Sequence, residues 1–166
     1  MKELVRFCDA SKTKAGESHV LTDVLTAVWP VLNDISSNSS CRANEAVLSG
    51  LLDIHSQLLS VVPSLISPYF KDLITFVVKA YEESFNPTAL EFVAAAVESF
   101  DIEPAIGMAT GLDNNGREET FKQLLSHLCK CTFNYVTQTK PPSDCPLVIK
   151  ATFEMAHRYL IFAPGA

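Results

Sequence analysis

The stretch CRANEAVLSGLLDIHSQLLSVV, Cys41 to Val62, carries the pattern on which the fold turns. Leu48, Leu51, Leu52, Leu58, Leu59 and Val62 recur at spacings of three and four, which on a helix makes one apolar stripe. The opposite side carries Glu45, Ser49, Ser56 and Gln57, polar but only weakly charged. Such a helix buries one face against other helices and offers the second to water or to a partner.

Outward from this stretch the periodicity stays helical and strand patterns are nearly absent. Upstream, a short helix around Lys2 to Cys8 and a polar loop to Glu17 precede HVLTDVLTAVWPVLNDI, which places Val20, Val24, Val28, Val31 and Ile35 on one side of a helix. Pro30 lies inside it, and a proline there removes a hydrogen bond and crowds the preceding turn, so a kink or loosening near Ala27 to Pro30 is expected. Ser40, after the loop SSNSS, is placed to cap the Cys41–Val62 helix. Downstream, Ser67-Pro68 and Asn86-Pro87 each have the form of a cap followed by proline at the first helical position. The helices that follow show Phe70, Leu73, Ile74, Val77, Val78 and Tyr81, then Leu90, Val93, Ala94 and Val97. After the glycine-punctuated EPAIGMATGLDNNG comes a long helix from Arg117 with Phe121, Leu124, Leu125, Leu128, Thr132, Tyr135 and Val136 in register. The break KPPSD separates it from a last helix, CPLVIKATFEMAHRYLIF.

These helices pair as Val20–Ile35 with Cys41–Val62, Pro68–Glu82 with Pro87–Asp101, and Arg117–Thr137 with Cys145–Ile161. The pair starts are spaced by about 48 residues, close to the HEAT and armadillo period of about 40–47. The expected fold is all-α, an α-solenoid of about three HEAT-like hairpins. Residues 1–17 would be the end of a preceding repeat and a loop, 18–62 the first hairpin, 63–102 the second, and 103–166 a connection with the third. A closed six-helix bundle is the rival; even alternation of hairpins and short polar breaks favours the solenoid.

Composition bounds the function. The chain has 166 residues, 48% apolar and 19% charged, enough for a sizeable core and unlike a disordered segment. No run of about 20 uncharged apolar residues is present, so no membrane-spanning helix is expected. Charges stand at the N-terminus where a signal peptide needs its apolar segment, and the five irregularly spaced cysteines fit reduced thiols, so the protein reads as intracellular. A net charge of −6 argues against direct nucleic-acid binding. Between Ala80 and Gly116 there is no Lys or Arg, while Glu82, Glu83, Glu91, Glu98, Asp101, Glu103 and Asp113 accumulate. That segment either favours basic partners or forms a solvated acidic face.

Signatures of chemistry are missing. No phosphate-binding glycine loop, dinucleotide fingerprint or nucleophile elbow occurs. His127 and Cys131, four apart on one helix, have a spacing that zinc can use, but a half-buried His beside a core Cys is the plainer reading. Cys129 and Cys131 diverge by about 200° on a helix and cannot act as a pair. The chain is expected to be a binding protein and not an enzyme, with neither cofactor nor metal.

The segments VLTAVWPVLNDI (Val24–Ile35), Glu45 to Leu51, PYFKDLITFVVKAYEE (Pro68–Glu83) and VIKATFEMAHRYLIFAPGA (Val148–Ala166) together resemble the middle HEAT repeats of karyopherin-β nuclear transport receptors, in the branch of transportin-SR and importin-thirteen. The similarity runs from about His19 to Pro164, and Trp29-Pro30 and HRYLIFAP are its most specific parts. The resemblance implies a fragment of a longer superhelix, a segment of a nuclear import receptor that shuttles between cytoplasm and nucleus. Its partners would be protein cargo, basic or Arg-Ser-rich, with Ran-GTP and nucleoporins engaged through the full-length receptor. A HEAT scaffold unrelated to transport, or an exportin segment, is the alternative. In transportin-SR the helix similar to Cys41–Val62 holds phosphorylated Arg-Ser cargo on arginines. Matching Glu45 and Leu51 to that helix puts its arginine positions on Arg42, Ala46, Ser49, Leu52 and Ser56, of which only Arg42 is arginine. Phosphate clamping is therefore not expected to carry over intact. In this family the second helix of each hairpin lines the concave side, which assigns Glu91, Glu98 and Asp101, with Arg42, to cargo binding.

Overall fold

A computed structural model describes residues 20–61, 63–102 and 114–163. The expected opening helix and most of the glycine-punctuated connection lie outside the described residues. Every regular element among the described residues is helical.

Helix α1, Val20–Ser37, buries Leu21, Leu25, Trp29 and Leu32. This is one position away from the expected valine stripe: Val28 and Ile35 flank the core, Val24 is half-buried, and Val31 is 56% exposed. Both stripes have helical spacing, and the one with leucines and tryptophan removes more apolar area from water. The helix assignment is unbroken through Pro30, which is exposed, so water can reach the carbonyl that lost its partner.

The helix expected over Cys41–Val62 is two helices, α2 (Ser39–Ala43) and α3 (Glu45–Val61). Asparagines provide the caps where Ser40 was expected. The Ser40 amide donates to Asn38 Oδ1 at 2.9 Å, and the Val47 amide to Asn44 Oδ1 at 3.2 Å. Leu48, Leu51, Leu52, Leu58 and Leu59 are buried as the pattern predicts, and His55 is buried among them.

A short α4 (Pro63–Ile66) and a 3-10 turn (Ser67–Tyr69) lead into α5, Phe70–Ser84. Ser67-Pro68 thus belongs to the tight turn, and the long helix starts three residues after the expected cap. At the far end of α5, Phe85 adopts a left-handed conformation with φ 50°. Its ring stacks on Tyr135 at 3.9 Å, a contact that offsets the steric cost a non-glycine residue meets there. Asn86 then caps α6 (Pro87–Ile102) as predicted, accepting from the Thr88 amide at 2.9 Å. Its side-chain amide donates to Ser49 Oγ of α3 at 3.2 Å.

Helix α6 is the centre of the core. Ala89, Leu90, Phe92, Val93, Ala94, Ala96 and Val97 are all buried, more than one stripe, because α3, α5 and α8 pack around it. Helices α7 (Asn114–Gln138) and α8 (Pro146–Phe162) complete the described structure. The helices α3, α6 and α8 lie side by side in that order. On the other side α5 meets α7 through Tyr81 and Thr132, whose hydroxyl oxygens are 2.6 Å apart, and through Phe70 and Phe121. Trp29 of α1 stacks on Tyr69 at 4.2 Å, just before α5. The outer surface of α8 leaves Leu147, Phe153, Leu160 and Ile161 exposed, with Phe133 on α7.

Candidate functional site

The small residues of α6 allow α8 to approach closely, and beside that contact the two helices leave a groove of about 410 Å³. Ala94 and Ala95 form its floor; Glu91 and Glu98 come from α6, and Glu154, His157 and Arg158 from α8. Glu91 and Glu98 are seven residues apart, two helical turns, so both carboxylates face the groove.

Glu98 accepts a hydrogen bond of 2.6 Å from Arg158 Nη1, and the Arg158 guanidinium lies 5.8 Å from the centre of the Phe162 ring. Glu154 is 3.5 Å from Lys150 Nζ one turn back on α8. No ion pair among the described residues engages Glu91, which is exposed. Three carboxylates thus line the groove against one guanidinium, and Glu91 is free to meet an incoming cation. The chemistry available is ion pairing and hydrogen bonding to a cationic side chain, with apolar floor for its stem.

Of the residues assigned from sequence, Glu91 and Glu98 come together here. Asp101 falls on the last turn of α6, and its side chain lies outside the described residues. Arg42 is elsewhere and inside the fold, not on the surface assigned to it, at 5% exposure. Its Nε and Nη2 donate to the two oxygens of Glu83 at 2.7 and 3.0 Å. Its Nη1 donates to the carbonyls of Ser36 and Ser37 at 2.8 and 2.7 Å. The bond to Glu83 holds the guanidinium pKa above its usual value, and the same bond holds the Glu83 carboxyl below its own. Arg42 ties α2 and the end of α1 to α5, and four of its five N–H donors are taken, so the paired fork that grips a phosphate is already spent on Glu83.

Glu154, His157 and Arg158 were not assigned from sequence, although their spacing on α8, with Lys150, makes a polar stripe that the last helix shows openly. What the sequence does not show is that this stripe faces Glu91 and Glu98, about 60 residues earlier.

The sequence matches no protein-family model, and a search of curated proteins finds no significant relative.

Proposed function

We propose that this chain is a protein-binding segment of a HEAT-type α-solenoid, most simply the middle of a karyopherin-β nuclear import receptor, and that its α6–α8 groove takes a basic segment of cargo. The observation that carries the reading is the acidic groove between α6 and α8. The succession of α3, α6 and α8 is the arrangement that stacked hairpins produce, each second helix touching the next. The apolar outer surface of α8 is of the kind that a further hairpin covers in such a stack.

A basic segment would lay a Lys or Arg against Glu91 and, by exchange with Arg158, against Glu98. Charges arranged in this way set orientation and association rate more than affinity. The resemblance to transport receptors adds Ran-GTP control, nucleoporin contacts and shuttling between cytoplasm and nucleus, all as properties of a full-length receptor. A HEAT scaffold unconnected with transport would use the same groove without them.

The test is binding of the chain, by fluorescence anisotropy across a salt series, to a plain basic peptide, an Arg-Ser peptide and its phosphorylated form. The reading predicts binding of the two basic forms that weakens with salt and loss of binding on phosphorylation. Preference for the phosphopeptide would overturn it, since the one arginine of the matching helix is already engaged by Glu83.

A further inference from the structure

On the opposite layer, between α5 and α7, the fold brings together Glu82, His127 and Cys131. His127 and Cys131 are one turn apart on α7, and Glu82 reaches them from the last turn of α5, 45 residues before His127. His127 Nε2 is 2.7 Å from Glu82 Oε1, and Cys131 Sγ is 3.7 Å from the same nitrogen. All three donor atoms lie within 4.8 Å of one another.

We propose that Glu82, His127 and Cys131 form a three-ligand site for zinc or a similar borderline-soft divalent cation, with water as the fourth ligand. The donor set of one thiolate, one imidazole and one carboxylate is what such an ion takes. With ligand bonds of about 2.0–2.3 Å, donors in a tetrahedral site sit about 3.3–3.7 Å apart. Sulfur and nitrogen already have that separation, and the carboxylate completes the site by swinging back from the nitrogen while staying within reach of the sulfur. Glu82 and His127 are exposed and free to make that adjustment, while Cys131 is half-buried and fixed by its helix.

The scaffold supports the arrangement. Tyr81, next to Glu82, holds Thr132, next to Cys131, through a 2.6 Å hydrogen bond in the core, so the backbones carrying two of the ligands are pinned together. On binding, the Cys131 thiol gives up its proton to solvent, and His127 exchanges the Nε2 proton that Glu82 accepts for one on Nδ1, which frees Nε2 to bind. Glu82, which otherwise accepts from His127, becomes a ligand. The ion would clamp α5 to α7 and so tie adjacent hairpins.

The test is titration of the reduced full chain with Co²⁺ alone, followed by competition with Zn²⁺. The proposal predicts one Co²⁺ per chain with the near-ultraviolet charge-transfer absorption of a cobalt–thiolate bond, displaced by Zn²⁺. Cys131→Ser should abolish that absorption, His127→Ala and Glu82→Gln should weaken binding at least tenfold, and Cys129→Ser should leave it in place. Far-ultraviolet circular dichroism on each variant separates loss of ligand from loss of fold. Absence of the charge-transfer band in the wild-type chain, or a band that survives Cys131→Ser in a folded variant, would overturn the proposal.

Discussion

Replacing Arg42 with methionine keeps a long apolar stem while removing the guanidinium, and so isolates what its hydrogen bonds contribute. Four bonds are lost, two to Glu83 and two to the carbonyls of Ser36 and Ser37. Charge-assisted bonds contribute about 1.5–3 kcal/mol each when shielded and neutral ones about 1 kcal/mol. Glu83 is 41% exposed, so water screens its share, and methionine recovers some packing. The net expectation is a destabilisation of about 2–3 kcal/mol, or about 5–10 °C in Tm for a chain of this size. Urea unfolding followed by circular dichroism should show a lower midpoint with an unchanged slope. Glu83→Gln should cost less, about 1 kcal/mol, since its site is open to solvent. The double variant should cost little more than Arg42→Met alone, because the two share one interaction. An Arg42→Met variant within about 0.5 kcal/mol of wild type would refute the assignment of Arg42 as a strut and return it to the surface chemistry suggested by the sequence.

Two further predictions concern the core. His55 is buried between Trp29 and Phe76, at ring separations of 5.9 and 5.7 Å, and burial lowers its pKa to about 4. A folded pKa below the unfolded value of 6.5 means that stability is complete above pH 6.5 and is lost as pH falls from there toward 4. The loss totals about 3 kcal/mol by pH 4, and melts across that range should show a flatter dependence in His55→Leu; equal slopes in both would contradict it. The two buried tyrosines should respond oppositely to loss of their hydroxyls. Thr132 donates its own proton to the Leu128 carbonyl, so Tyr81 is the donor in their pair, and Tyr81→Phe should cost about 1 kcal/mol. The Tyr159 hydroxyl is buried with no partner among the described residues, so Tyr159→Phe should be neutral or stabilising by up to about 1 kcal/mol in the same urea assay.

Much of the helical plan was legible because it rests on local rules. Asn86-Pro87 states a helix start in two residues, and the leucine stripe of α3 needs one face buried whatever covers it. Where two local solutions compete, the sequence is ambiguous: α1 carries a valine stripe and a leucine–tryptophan stripe one residue apart, and only tertiary burial selects between them. The same holds for Ser40 against Asn38 and Asn44, all capable caps within one polar loop. Function suffers more, because the informative pairs are long-range. Nothing near Arg42 announces Glu83, and nothing near His127 announces Glu82; each partner is more than forty residues away. The Glu91 and Glu98 pair was visible as a heptad spacing on one helix, but the Arg158 that meets Glu98 and completes the groove comes from α8.

The groove itself is tested most directly by charge reversal on its open rim. Glu91→Lys and Glu154→Lys, singly and together, change exposed residues that no core contact requires. With a plain basic peptide at low salt, the account predicts that each reversal weakens binding several-fold, that the double variant weakens it further, and that the salt dependence becomes shallower with each. Unchanged affinity and unchanged salt dependence in the folded double variant would contradict the claim that this acidic groove recognises a basic partner.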